Sequence, residues 1–355
     1  MVRVLAALLA VLVPVLAGTP AAEVFERIGQ EIDAQHRAPG FAMLVQYQGR
    51  VVFARGYGVS DIPKNTPVTP DTRFSVGSIS KQFTAAAVLL LRDQGRLSLD
   101  TKLAKYLPQI PNAEKITLRM LLNQVSGLHN YPRTDEHNWP LQGSIDPQKL
   151  FAILATDHPD FEPGTKWAYS NTNYAALAEI AAQASGMPYG VFLKKFIFEP
   201  LGMTKSGSGF AVQAGIATPY EGTGKFTRQA PLSLDLFFGA GSIVSTAVDL
   251  ARWDQALLDG KLLKPASRHE FWAPGQLADG SPTHYAMGWV PADVDAHREV
   301  WHNGFAPGAG GYCFNAVFPD EGLSVVVLSN SADSAFRGRP ETIVRQVVEA
   351  FFPKP

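Results

Sequence analysis

Ser78 and Lys81 form the pair most suited to covalent chemistry. A serine hydroxyl is a weak nucleophile until a neighbouring base removes its proton. A lysine amine can be that base when burial lowers its pKa. Three residues apart, the two side chains share one face of a helix. Gly77-Ser78-Ile79-Ser80-Lys81 opens the strongest helical pattern in the chain, over Ile79 to Gln94. A helix N-terminus offers backbone N–H groups that could hold an oxyanion. The spacing alone is weak: a chain of this length holds on the order of one S-x-x-K by chance. Taken by itself it is equally an N-cap serine with a surface lysine. It is the only S-x-x-K present.

Two further segments carry matching chemistry. Tyr169-Ser170-Asn171 follows the loop Pro163-Gly164-Thr165 and precedes a helical pattern. A tyrosine near a lysine can relay a proton, and an asparagine amide can hold a substrate carbonyl. The competing reading is a cap for the next helix. His302-Asn303-Gly304 ends the strand-like run from Glu299, and Gly304 would let a substrate approach the strand backbone. Lys205-Ser206-Gly207 competes for that third place, but it lies in a Gly-rich segment with no strand pattern. A substrate-binding edge needs a strand, so His302 is preferred.

The elements that must position these groups divide into β-type ends and a helical middle. Val24 to Gln35 has helical spacing, and Phe41 to Gln48 and Val51 to Tyr57 read as strands joined at Gly49-Arg50. Helical patterns follow at 174–185, 191–196 and 246–258. Strand patterns return at 285–290, 299–302, 311–318 and 323–328, and 341–351 closes as a helix. The spacing predicts an α+β fold: strands 41–57 pair with strands 285–328 in one antiparallel sheet, with the helical region inserted. The sheet subregion covers about 23–76 and 285–355, and the helical subregion about 77–284.

Residues 1–22 read as a signal peptide: Arg3, an apolar stretch from Val4 to Ala17, then Thr19-Pro20-Ala21-Ala22 suited to cleavage. The mature chain, 23–355, is therefore expected to be exported, periplasmic or secreted, without a stable membrane anchor. With 18% charged and 46% hydrophobic residues and a net charge of −1, the composition is globular and does not favour nucleic-acid binding. A single cysteine, Cys313, rules out an intrachain disulfide and reads as a buried strand residue. Eight scattered histidines without HExxH spacing argue against a metal.

Ser78-x-x-Lys81, Tyr169-x-Asn171 and His302-x-Gly304, in this order, resemble the three motifs of the serine β-lactamase and penicillin-binding-protein superfamily. The Y-x-N form is similar to its class C branch, with D,D-carboxypeptidases, D-aminopeptidases and esterases. Arg73 to Thr84, Leu121 to Leu128, Pro200-Leu201-Gly202-Met203 and Gly239 to Ser242 with Asp249-Leu250 share the likeness, which spans roughly 25–350. The resemblance implies a β-lactamase/transpeptidase-like fold: an antiparallel sheet flanked by helices plus a mostly helical subregion. It implies a Ser78 acyl-enzyme, Lys81 and Tyr169 moving the proton, Asn171 orienting the substrate, and an oxyanion hole from the N–H groups of Ser78 and Phe305. No cofactor is implied. The resemblance implies a small-molecule or peptide substrate, with a peptidoglycan-derived one among the candidates. His302 would shape the proton network or, when charged, bind an acidic group.

The sequence departs from the family pattern in three places. His302-Asn303-Gly304 stands where many relatives carry Lys-Thr-Gly, which lowers the expectation of an efficient β-lactamase. Gln124 occupies a place often held by histidine. No Glu-x-x-Leu-Asn segment follows the second motif. An esterase, a D,D-carboxypeptidase, a D-aminopeptidase and a weak β-lactamase would share every residue named. A catalytically silent binder of peptidoglycan-like ligands is the reading from another class, and it has no use for a nucleophile with its base. No oligomeric state is implied.

Overall fold

The structure, a computed structural model, describes residues 20–132, 142–306, 308–333, 336 and 339–352. The expected leader falls outside the described residues except for 20–22, which open the first helix.

The helices are α1 Pro20–Ala34, α2 Ser80–Asp93, α3 Leu118–Leu122, α4 Pro147–Leu154, α5 Asn171–Ser185, α6 Tyr189–Leu193, α7 Phe238–Gly241, α8 Ala247–Leu258, α9 Pro265–Trp272 and α10 Arg339–Phe351. The strands are β1 Gly40–Tyr47, β2 Arg50–Asp61, β3 Thr66–Pro67, β4 Phe74–Ser75, β5 Gly207–Ser208, β6 Tyr220–Glu221, β7 Thr227–Arg228, β8 Ile243–Ser245, β9 Val290–Val294, β10 His297–Gly304, β11 Cys313–Phe318 and β12 Leu323–Ser329.

One seven-stranded antiparallel sheet runs β3-β2-β1-β12-β11-β10-β9. The first hairpin thus joins the C-terminal strands through β1 and β12, with Phe41 opposite Ser329 and Tyr47 opposite Leu323. This is the α+β architecture the pattern predicted.

The sheet is buried on both faces, which explains the nearly continuous apolar run of β12. Leu323, Val325 and Val327 point into a core with Phe25 and Ile28 of α1 and Val344, Val347 and Val348 of α10. Val326 and Leu328 point the other way, into the large core shared with α2, α5 and α8. Successive strand residues face opposite sides, so one sequence serves two cores.

Two local readings change. The apolar run 285–290 is not a strand; the strand starts at Val290, and 285–289 is irregular. Tyr285, Ala286, Met287 and Trp289 are apolar because they fill the large core, not because they pleat. Gly288 turns there at φ +83, and a Cβ on it would lie 2.7 Å from the Lys81 carbonyl oxygen. The 191–196 helix is α6 followed by a π-helical turn, Lys194–Phe198. Among the described residues no helix is long and apolar enough to cross a membrane.

Candidate active site

Ser78 sits in a 3-10 turn, Gly77–Ile79, that runs directly into α2, so Lys81 falls in the first α-helical turn. The entry is set by close backbone packing. Val76 donates to the Ile243 carbonyl, 3.0 Å. Gly77 takes φ +52, and a Cβ there would lie 2.4 Å from the Phe305 nitrogen. A Cβ on Gly304 would lie 1.9 Å from the Val76 carbonyl oxygen. Only glycine allows this approach, and it brings the end of β10 and the Phe305 amide against the turn bearing Ser78.

Lys81 is buried while Ser78 remains half-exposed. The Lys81 Nζ lies 3.1 Å from Ser78 Oγ, 2.7 Å from Asn171 Oδ1 and 2.8 Å from the Ala240 carbonyl oxygen. The Asn171 amide is oriented by its Nδ2, which donates to the Tyr131 carbonyl, 2.8 Å. Its oxygen must therefore face the lysine. Burial holds the Lys81 amine well below the ordinary lysine pKa. A neutral amine has two N–H groups and one lone pair. Asn171 Oδ1 and the Ala240 oxygen accept only, so they take both N–H groups. In that neutral form the lone pair is left for Ser78 Oγ, to which the ammonium form donates.

Tyr169 donates its hydroxyl to Ser78 Oγ at 2.7 Å. Burial raises its pKa, so it stays a phenol. With the amine neutral the chain runs from Tyr169 O–H to Ser78 Oγ and from Ser78 O–H to Lys81 Nζ; with it charged, Tyr169 and Lys81 both donate to Ser78 Oγ. Asn171 begins α5 rather than standing before it, and its amide is committed to Lys81 and Tyr131 rather than left free in the cleft.

His302 lies where the strand pattern placed it, in β10 two residues before its end at Gly304, but not in the state expected of it. It is 2% exposed. Its Nδ1 donates to the Asn303 carbonyl, 2.6 Å, so Nε2 accepts from the Tyr285 hydroxyl, 3.0 Å. Burial and the nearby Lys81 push the imidazole down to about 3, against the pull of the Asn303 carbonyl. The expectation of a charged His302 binding an acidic group therefore gives way to a neutral ring whose nitrogens are both used. Its ring centre lies 6.2 Å from that of Tyr169.

Lys205 is elsewhere: its ammonium pairs with Asp71 at 2.9 Å, and its N–H donates to Asp249. The other serines near the motifs lack a base. Ser126 donates to Asn173 Oδ1, and Ser242 pairs with Ser208 at 2.8 Å. Cys313 is buried in β11, as its pattern indicated. Among the described residues no group of three or more His, Cys, Asp or Glu could hold a metal ion.

Three contributors escaped the sequence reading. The Ala240 carbonyl carries no side-chain signal, although the Gly239 to Ser242 segment was singled out. Tyr285 looked like a strand residue. Thr84, one turn beyond Ser80, accepts from Tyr189 and donates to the Gly239 carbonyl at 2.6 Å, fixing the turn that presents Ala240.

Fold and site together are those of a β-lactamase-fold serine hydrolase. The chain belongs to the family described as Beta-lactamase, whose family model matches residues 25–349. It is 33% identical over 318 residues to the Putative penicillin-binding protein PbpX of Bacillus subtilis (strain 168), covering 87% of this chain and 75% of that protein. It is 25% identical over 308 residues to a D-aminopeptidase of Gluconobacter oxydans (strain 621H), covering 86% of this chain but 58% of that longer protein. In fold it matches a D-amino acid amidase from Ochrobactrum anthropi SV3 complexed with L-phenylalanine amide, with a TM-score of 0.79 at 24% identity over 94% of this chain and 99% of that one.

Proposed function

We propose that the protein is an exported hydrolase that forms a Ser78 acyl-enzyme with an ester or an amide of the peptide or D-amino-acid class. The carrying observation is the 3.1 Å contact of Lys81 Nζ with Ser78 Oγ beside two acceptor-only oxygens, so that the amine, once neutral, turns its lone pair to Ser78 Oγ. Ser78 attacks the substrate carbonyl while Lys81 takes its proton. Tyr169 gives a proton to the leaving alcohol or amine and regains one from the Lys81 ammonium. The serine proton thus ends on the leaving group. The N–H groups of Ser78 and Phe305 receive the oxyanion. Water then repeats the sequence in reverse and releases the acid. Asn171 acts through Lys81, holding the amine in place.

The third motif supplies no cation, because His302 is neutral and both its nitrogens are committed. This favours substrates whose recognition needs no carboxylate capture at that residue, such as short-chain esters and D-amino-acid amides. The likeness to a penicillin-binding protein and a D-aminopeptidase supports the acyl-transfer chemistry and the D-amino-acid class. The leader pattern of residues 1–22 supports export.

The test is a labelling and turnover panel. A fluorophosphonate should label the parent at Ser78 and leave Ser78→Ala unlabelled; label on Ser126 or Ser242 would refute the assignment. A p-nitrophenyl short-chain ester and a D-amino-acid amide should turn over faster than a D-Ala-D-Ala peptide or a chromogenic cephalosporin. The reverse order would make the protein a D,D-carboxypeptidase or a β-lactamase, and labelling without turnover a silent binder. Protein recovered from the cell envelope or medium should begin near residue 22; cytoplasmic protein that keeps Met1 would rule out export.

A further inference from the structure

We propose that Gln124 is a positioning residue that holds Tyr169 at bonding distance from Ser78. This inference rests on the catalytic reading of Tyr169 above. Gln124 follows α3, is fully buried, and takes φ +62, a left-handed conformation unfavourable for a residue with a Cβ. What it gains there is a two-point grip on the backbone either side of Tyr169. Its carbonyl oxygen accepts from the Ala168 N–H at 3.1 Å, and its side-chain Oε1 accepts from the Ser170 N–H at 3.0 Å. Ser170 is extended, at φ −140 and ψ 124, so N–H groups two residues apart present to the same side. One residue therefore closes both hydrogen bonds along that edge and fixes the backbone from which Tyr169 projects.

The same Oε1 accepts from Asn173 Nδ2 in the first turn of α5, and Ser126 donates to the Asn173 oxygen. Asn173 is thereby bonded through both amide atoms to two residues of the segment after α3. That clamp ties the start of α5 to Gln124. Asn171, whose oxygen holds Lys81, lies two residues before it. The Gln124 Nε2 makes no hydrogen bond. Gln124 thus grips the second motif and the start of α5.

The experiment is a double-mutant cycle on single-turnover acylation by a p-nitrophenyl ester, with substrate affinity and melting temperature read in parallel. Gln124→Met keeps the volume and removes the acceptor. Acylation should fall by about 10- to 100-fold, as a misplaced reacting group implies, with affinity within roughly twofold. On a Tyr169→Phe background the same change should cost less than about threefold, because residues serving one function are non-additive. Gln124→His, which restores an acceptor, should recover most of the rate. Gln124→Asn, which withdraws the acceptor by one methylene, should repeat the Gln124→Met pattern and serves if the methionine variant does not fold. Equal losses with and without the Tyr169 hydroxyl would overturn the proposal, as would failure of both variants to fold, since either marks a purely structural role. Normal acylation by Gln124→Met beside a slow Tyr169→Phe overturns this inference alone. Normal acylation by Tyr169→Phe itself overturns the catalytic reading and this role with it.

Discussion

Lys81→Met isolates what the buried amine does. Methionine fills similar volume on a flexible chain, so the change removes the base and its two N–H donors with little loss of packing. Lys81 Nζ is the one base bonded to Ser78 Oγ among the described side chains, since Tyr169 is a donor there. A positioned general base contributes about 10²- to 10⁴-fold, or roughly 2.7 to 5.5 kcal/mol of barrier. Acylation in single turnover should fall by that factor. The pH profile gives a second reading. A lysine held below its usual pKa must lose its proton before it can act, so the rate of the parent rises with pH along an acidic limb lying below the ordinary lysine range. The variant should lose this limb. Stability should move in a linked way. Between the depressed folded pKa and the ordinary unfolded one, the unfolded chain binds more protons, so the parent gains stability as pH rises through that window. Lys81→Met removes this gain, and its melting temperature should rise less between neutral and alkaline pH. Acylation within tenfold of the parent, or a retained acidic limb, would refute Lys81 as the base.

Tyr169→Phe should slow acylation by about 10² or more without unfolding the chain, and its combination with Lys81→Met should fall well short of the product of the two losses; clean multiplication would mean that they do not share a proton path. His302→Gln should lower the rate without moving the pH limb, because the ring is neutral above about pH 3, while Lys205→Gln should leave both unchanged; loss of activity in the Lys205 variant alone would misplace the third motif. Asp254, on the buried face of α8, has its carboxyl raised to about 8 by burial, against the donor Asn315 Nδ2 at 2.8 Å. The parent should therefore lose stability as pH climbs from the ordinary carboxyl range to about 8, and Asp254→Asn should flatten that decline in melting temperature; an unchanged slope would exclude an ionising Asp254 as its cause.

The sequence was most legible where chemistry and periodicity coincide. Ser78 and Lys81 declare themselves because helical spacing fixes their shared face whatever the rest of the chain does. The pairing of the first hairpin with the C-terminal strands followed from apolar runs long enough to need burial on both sides. Legibility failed where burial was the deciding quantity. Tyr285 to Trp289 is as apolar as a strand, yet its register is set by core packing against α2, and Gly288 breaks the pleat to fit beside the Lys81 carbonyl. A strand-end histidine can bind an acidic group only if it can carry charge, whereas His302 is covered and bonded through both nitrogens. The Ala240 oxygen and the Gln124 grip each join a main-chain group to a distant side chain, 159 residues apart for Ala240 with Lys81 and 46 for Ser170 with Gln124. No local pattern encodes such contacts.

These misreadings share a physical cause that bears on the mechanism. Burial drives Lys81, Tyr169 and His302 each toward the uncharged form. The charged forms of all three groups around Ser78 are therefore disfavoured. On the proposed mechanism, transfer of the serine proton creates two charges at once, an ammonium at Lys81 and an oxyanion on the substrate. Asn171 Oδ1 and the Ala240 oxygen already point at the ammonium, and their hydrogen bonds strengthen when it becomes charged. The N–H groups of Ser78 and Phe305 do the same for the oxyanion. Each contact is worth more in the transition state than in the resting enzyme, which is the condition for accelerating the chemical step rather than merely tightening binding. A carboxylate beside Lys81 would protonate the amine at rest and silence the lone pair facing Ser78. Lining that amine with an amide oxygen, a main-chain carbonyl and the rings of Tyr169 and Tyr174, 4.6 and 5.6 Å away, avoids this.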